Sequence, residues 1–440
     1  LAEEAAALRA DLARAWGVPA GTEIVLTASG TDCELLALAL AQAADPARPL
    51  RNLLIAPEET GSGVPLAATG RHFNAVTALG HPVPREGLVA GFRPDTGLAA
   101  IPIRDAAGAL RPAAAIIAEG AARAAEGLGA AGGRVLLHLL DVSKTGLLAP
   151  DPAALRDLAE SLGPRADVVV DACQARLDPA RVGTYLGWGW MVLLTGSKFF
   201  TGPPFTGAVL IPPALVPRLG RPLPAGLADY LGRWQLGALP AAAGLSPTHN
   251  PGLLLRWRAA LAEMEAFLAV PPAHRRAVLE DFAAAVQARI AASPRLRRLP
   301  PTPPWRQDGT AWDEVPTIFG FTLGGADGRP LGPAAARQVY AWLNSDLSAA
   351  LPEADPHLAA LRCHIGQPVT LAEEGGGLAG ALRISAGARL VSGEPSHAGM
   401  AEPERVAREL LDACTVIDKV ELILGGWERL RVADPRPSFQ

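Results

Sequence analysis

Asp167-Val168-Val169-Val170-Asp171 and, a helix-length further on, Met191-Val192-Leu193-Leu194-Thr195-Gly196-Ser197-Lys198 are the stretches whose reading decides the fold. Each is a short apolar run, the length of a strand rather than of a helix. The first ends on an acid and the second leads into a lysine. A polar residue at the carboxyl end of a buried parallel strand faces the crevice where open α/β sheets bind their ligands.

The same alternation extends outward. Glu23–Thr27, Leu53–Ala56 and Val135–Leu140 read as strands before this pair, and Ala208–Ile211 as one after it. Helical stretches at 1–16, Cys33–Ala43, Pro112–Ala125 and Pro152–Leu162 separate them. Strands alternating with helices predict an α/β fold with a mostly parallel central sheet. Downstream come helices at Gly252–Leu268 and Ala273–Ala291 and a proline-rich connection at Leu299–Trp312. A strand at Thr317–Leu323, a helix at Pro333–Leu351, a strand at Leu382–Ser385 and a closing helix at Pro403–Ile423 follow, and predict a smaller C-terminal α+β domain. A chain of 440 residues exceeds one usual core. The expected division is a large domain at 1–255, connecting helices and linker at 256–312, and a small domain at 313–440.

Composition narrows the function classes. Apolar residues make up 49% of the chain, yet no apolar run reaches membrane-span length and no secretory signal is visible. Net charge is −4 with scattered basic residues, which argues against a nucleic-acid partner. Cys33, Cys173, Cys363 and Cys414 form no CxxC pair and no disulfide framework, so a reducing cytoplasm is expected. No His/Cys/Asp spacing suggests a metal site. The start at Leu1 rather than Met points to a missing leading segment. Of 40 basic residues only Lys144, Lys198 and Lys419 are lysines, a bias that GC-rich codons explain. A lysine that must form an imine resists that drift, because guanidinium stays protonated and cannot attack a carbonyl.

Three signals carry chemistry. Ser29-Gly30-Thr31-Asp32 lies between a strand and a helix, where backbone N–H groups can cradle a phosphate; a glycine turn with Thr31 or Asp32 as N-cap would look the same. Asp171 could hold a pyridine nitrogen protonated and make the ring an electron sink, with Gln174 near its hydroxyl; a helix cap is the simpler alternative. Lys198, flanked by Phe199 and Phe200, could be desolvated and so supply a free amine for an imine with pyridoxal 5′-phosphate (PLP). Thr195 and Ser197 could add hydroxyls at the phosphate. The combination in this order is far more specific than any member.

With these residues in hand, the sequence resembles the class V aminotransferase and cysteine desulfurase family of fold-type-I PLP enzymes, from Ser29 to about Ala386. Asp171-Ala172-Cys173-Gln174 is similar to the family's Asp-x-x-Gln segment, and Thr195-Gly196-Ser197-Lys198 with Gly202-Pro203 to its lysine segment. Thr248-His249-Asn250-Pro251-Gly252 resembles the loop whose threonine reaches the phosphate in a neighbouring subunit, which implies a homodimer with shared sites. Leu382-Arg383-Ile384-Ser385 resembles the strand whose arginine grips a substrate carboxylate, a task its bidentate fork suits. The resemblance thus implies a fold-type-I PLP-dependent transferase fold and a small amino-acid substrate.

Three departures stand out. Ser197 occupies the place of a usual histidine before the lysine. Pro57-Glu58-Glu59-Thr60-Gly61 puts Thr60 where the family has a ring stacked on the cofactor. In the segment that carries the persulfide cysteine of the longer desulfurases, this chain reads His364-Ile365-Gly366-Gln367-Pro368, and Cys363 is offset by two residues. That offset is on the order of 6–7 Å in extended chain at ~3.3 Å per residue, so a desulfurase is not expected.

Among other residues, Ser143 is a candidate cofactor contact, and Lys144 either holds a second anion or is a solvated charge. Lys419 is expected to be exposed. His249 and His364 are taken as structural, and Trp188 and Trp190 as core. The resulting expectation is a PLP-dependent lyase or aminotransferase acting at the α-carbon of an amino acid. Lys198 serves as imine and returning base, Asp171 sustains the electron sink, and Gly30, Thr31, Asp32, Thr60, Ser143, Gln174, Thr195, Ser197 and Thr248 surround the cofactor. The rival is a degenerate, non-catalytic PLP-binding protein.

Overall fold

The computed structural model describes residues 1–129, 132–300, 311–373, 376–394 and 399–435. Most of the proline-rich connection expected at Leu299–Trp312 falls outside the described residues. Two compact units are present: Leu1–Ile103, Arg111–Ser143 and Leu147–Ala269 form unit 1, and Arg104–Leu110, Lys144–Gly146 and Val270–Gln440 form unit 2. Helix Pro251–Ala269 lies in unit 1 and helix Pro272–Ala291 in unit 2.

Unit 1 is built on strands β1 (Glu23–Thr27), β2 (Leu50–Ile55), β3 (Gly97–Ile101), β4 (Arg134–Leu140), β5 (Ala166–Ala172), β6 (Met191–Thr195) and β7 (Gly207–Ile211). Their order is β1-β7-β6-β5-β4-β2-β3. β7 runs antiparallel to both neighbours, and every other pairing in the sheet is parallel except these two. The mostly parallel sheet expected from the sequence is therefore present. β4, β5 and β6 are almost continuously apolar because both faces are covered. β3, Gly97-Leu98-Ala99-Ala100-Ile101, went unread because a half-exposed edge strand of glycine and alanine carries little strand signal.

Helix Gly30–Ala44 is buried on every side from Asp32 to Ala43, as a helix apolar all round should be. Its floor includes Val25, Leu136, Val169, Leu193 and Val209, and Val89, Phe92, Leu227 and Leu231 join the same core. The opposite face of the sheet, with Leu53, Ile101 and Leu137, meets Ile116 of helix Ala113–Leu128 and Leu155 of helix Pro152–Leu162. At the amino ends of β4 and β5, Asp167 accepts from Arg134 at 2.7 Å and from both terminal nitrogens of Arg218 at 2.8 and 2.9 Å. That buried carboxylate is fully compensated.

Unit 2 carries an antiparallel sheet in the order β10-β11-β9-β8, formed by β8 (Leu296–Arg298), β9 (Ile318–Leu323), β10 (Val369–Glu373) and β11 (Gly377–Ser385). Its longest helices among the described residues are Pro272–Ala291, Pro333–Leu343 and Glu402–Gly425. The helix expected to run to Leu351 stops at Leu343. Asp346 there turns the chain by accepting from both the backbone N–H and the hydroxyl of Ser348, a local bond that competes with helix. Lys419 corrects another expectation: it is fully buried, not exposed. Its Nζ donates to the carbonyls of Ser345, at 2.8 Å, and Leu361.

Candidate active site

The carboxyl edge of the unit 1 sheet is where the chain is most constrained. Five non-glycine residues hold positive φ on loops leaving its strands: Ala56 after β2, Val142 after β4, Ala175 after β5, and Thr201 and Phe205 between β6 and β7. A β-branched residue such as Val142 (φ 68°) rarely adopts this region. Strain of this kind persists only where the surroundings enforce it, and it clusters at functional sites.

Close backbone approach brings three predicted segments together. Ser29, not Thr31 or Asp32, is the N-cap of helix Gly30–Ala44, and its hydroxyl oxygen accepts from the Asp32 N–H at 3.2 Å. A Cβ added at Gly30 would meet Cys173 Sγ at 2.6 Å and Thr195 Cγ2 at 3.4 Å. The first turn of this helix therefore lies against the turn after β5 and the end of β6. The Phe199 N–H donates to the Gln174 carbonyl at 3.3 Å, which ties the Lys198 loop to the residues following Asp171. Gly196 and Gly202 let that loop pack on Ala260 of helix Pro251–Ala269, where added Cβ atoms would come within 2.4 and 2.6 Å of its methyl.

Asp171 is buried at the end of β5 and accepts from the Cys173 N–H at 3.1 Å. Burial pushes its carboxyl above the usual range, and the Cys173 contact opposes this. Asp32 is also buried, and its carboxyl is raised to about 6 by burial, against the hydrogen bond from Ser29. Lys198 is exposed, which corrects the expected desolvation. The apolar flank is Phe199 and Phe200, whose rings turn inward onto Phe267, and Lys198 is left outside.

Several predicted hydroxyls are committed to the protein. Thr195 donates to the Cys173 carbonyl at 2.6 Å and Thr60 to the Pro57 carbonyl at 3.0 Å. Ser143 donates to Glu59 Oε2 at 2.6 Å and accepts from the Leu147 N–H at 3.1 Å. Thr31 and Gln174 are half-buried at the edge, as is Ser197, while Thr248 and His249 lie on an exposed loop. Thr31 packs near the turn after Thr60: a Cβ on Gly63 would sit 3.1 Å from its methyl. Trp188 and Trp190 pack edge-on at 4.8 Å, with Tyr185 against both, and Tyr185 donates to Asp141 at 3.0 Å.

In unit 2, Arg383 on β11 packs over Gly366, where a Cβ would fall 2.4 Å from its Nε, and donates to the Lys144 carbonyl at 3.2 Å. His364 is exposed. Cys363 is buried, its N–H donates to the Leu343 carbonyl at 2.8 Å, and burial raises its thiol. Sequence reasoning missed Glu34 and His138. The available signal was a single charged or titratable residue inside an apolar run, Cys33-Glu34-Leu35-Leu36 and Leu136-Leu137-His138-Leu139.

The sheet of unit 1, parallel with one reversed strand, and the antiparallel sheet of unit 2 belong to a fold that this chain shares with solved PLP-dependent enzymes. The cysteine desulfurase CsdA from Escherichia coli is similar at 16% identity, covering 96% of this chain and 84% of that one with a TM-score of 0.54. Serine palmitoyltransferase from S. paucimobilis is similar at 13% identity, covering 96% and 78%, TM-score 0.51. An amine transaminase from an uncultivated Pseudomonas species is similar at 13% identity, covering 95% and 80%, TM-score 0.50. No family model matches the sequence, and no curated protein matches it. Among the described residues, no helix is long and apolar enough to cross a membrane.

Proposed function

We propose that the chain is a PLP-dependent enzyme acting at the α-carbon of an amino acid. The observation that carries this reading is the meeting of the Gly30 turn, the residues after Asp171 and the Lys198 loop at one strained sheet edge. The residues present fit the cofactor. Gly30 and Thr31 begin a helix, whose first backbone N–H groups favour an anion, Asp171 is a buried acid at a strand end, and Lys198 is a primary amine on the adjoining loop. PLP bound there would supply an aldehyde for amines and a ring that withdraws electrons from the substrate α-carbon.

The chain's residues would divide the work. Lys198 is the proposed covalent anchor and the base that takes the α-proton. Asp171 would hold positive charge on the ring nitrogen, with the Cys173 N–H fixing its carboxylate. Backbone N–H groups of the Gly30 turn, with Thr31 and Ser197, would hold the phosphate. Thr195, Thr60 and Ser143 already donate elsewhere and act by shaping the edge. Thr248 is proposed to serve a neighbouring subunit in a homodimer, and Arg383 to hold a substrate carboxylate. The buried, backbone-tied Cys363 argues against sulfur transfer, which leaves lyase or aminotransferase chemistry. The committed hydroxyls favour one rival, a non-catalytic PLP-binding protein.

Titration of the purified chain with PLP tests the reading. An absorbance band of a lysine-bound cofactor should appear, shift on addition of amino acids, and be absent in Lys198→Ala. A band that persists in Lys198→Ala overturns the anchor, and a band that no amino acid moves selects the rival.

A further inference from the structure

Glu34 and His138 are two titratable side chains that the proposed chemistry leaves unused. Helix Gly30–Ala44 and Val169 of β5 share one core. In the β4–β5 pairing His138 stands opposite Val169, and Leu140 opposite Asp171. His138 therefore projects from the same face of the sheet as Asp171. Its Nδ1 lies 3.8 Å from Glu34 Oε1, and each side chain is 1% exposed. Both carboxyl oxygens of Glu34 and both ring nitrogens of His138 are buried without a hydrogen-bond partner among the described residues.

Two ions in that setting would lack both water and hydrogen bonds, so their neutral forms are favoured. Burial, and then the charge of Asp171, drive the Glu34 carboxyl well above the usual range. Burial alone drives the His138 imidazole down to about 3. The other titratable groups acting in this pocket are Cys33 and Asp32 from the helix and Cys173 from the turn after β5, all of them neutral or acidic. No lysine or arginine is paired with Glu34 among the described residues.

We propose that Glu34 and His138 are a buried acid–base pair in which both members stay neutral, carboxyl and imidazole, beneath Asp171, so that neither adds a charge next to that of Asp171. Glu34 is thus a positioning residue for Asp171. A carboxylate at Glu34 would raise the Asp171 carboxyl by like-charge repulsion, whereas a neutral Glu34 leaves Asp171 easier to ionise, and an ionised Asp171 is what a positive ring nitrogen needs. That last consequence rests on the PLP reading; the protonation of the pair does not.

The test uses the full chain without cofactor. Infrared difference spectra between wild type and Glu34→Gln at pH 7.5 should contain a buried protonated-carboxyl stretch, present in wild type and lost in the variant. Nitrogen NMR should show His138 neutral from pH 5 to 8. Glu34→Gln, neutral and of the same size, should unfold at nearly the wild-type temperature, whereas Glu34→Ala should not. In Asp171→Asn the carboxyl signal should titrate away about one pH unit or more lower, because the neighbouring charge is gone. Absence of the carboxyl stretch in wild type, or an imidazolium at His138, overturns the proposal, as does an unmoved titration in Asp171→Asn. Failure of the chain to bind PLP would sink the functional reading and leave these outcomes unchanged.

Discussion

Gly30 and Cys173 are in close approach at the sheet edge: the position a Cβ would take on Gly30 is 2.6 Å from the Cys173 sulfur. The helix turn proposed to hold a phosphate and the turn that follows Asp171 are therefore one packed unit. Moving either moves the other.

Gly30→Ala should therefore displace Cys173 and loosen the Asp171 turn. Overpacking of this kind costs about 1–3 kcal/mol, and PLP affinity should fall about tenfold or more. Cys173→Ala should recover most of the lost stability when combined with it, since the clash is between these two side chains. Urea unfolding of the four proteins of the cycle, with PLP titration of each, gives the coupling. Strict additivity would mean that the two turns do not share a contact.

Asp32 makes stability depend on pH in a predictable direction. Its carboxyl ionises near 3.8 in the unfolded chain and near 6 in the folded one. Between those values the folded chain keeps a proton that the unfolded chain has lost. Asp32 therefore contributes most below about pH 4, and that contribution declines as pH rises to about 6. The difference is about two pH units, or about 3 kcal/mol at ~1.4 kcal/mol per unit. Asp32→Asn should match wild type at low pH and exceed it at pH 7. His138 titrates with the opposite sign, losing stability as pH falls through its window toward 3, but it is present in both proteins and cancels. Chemical unfolding at several pH values makes the comparison, and equal curves would mean that Asp32 ionises normally.

Lys419→Met should destabilise the chain by about 2–4 kcal/mol. It removes the donor to two carbonyls, those of Ser345 and Leu361, and each buried acceptor left unmade costs about 1–3 kcal/mol. Burial lowers the lysine's pKa, so part of that cost is offset when its desolvation is relieved. Denaturant titration monitored by tryptophan fluorescence measures it. A neutral effect would show that the two loops hold without the lysine.

Cys363 should form no persulfide when the chain is incubated with PLP and cysteine, and should resist alkylation until denaturant is added. The residue is 4% exposed and its backbone is tied to Leu343. Mass spectrometry of the peptide containing Cys363 reads both outcomes, and rapid labelling of the native chain would contradict this placement.

Much of the architecture was legible because it depends on local pattern. Short apolar runs alternating with helices already imply a parallel sheet, and Asp171 and Lys198 sit at strand ends whichever way the chain continues. The scarcity of lysine singled out residues that the structure places very differently. Lys198 is retained at the edge proposed for the cofactor. Lys419 is a lysine because a slender ammonium can reach two carbonyls in a closed core, and nothing in Asp418-Lys419-Val420 announces that. What the tertiary structure alone decided are the pairings between distant segments. It spent the Ser143 hydroxyl on Glu59 and that of Thr195 on Cys173, turned Phe199 and Phe200 inward while leaving Lys198 outside, and set His138 beside Glu34. Sequence pattern reports which face of an element is buried. Only the packing of one element on another fixes which polar atoms meet inside, because hydrogen bonds and ionisation depend on distances of a few ångströms between residues far apart in the chain.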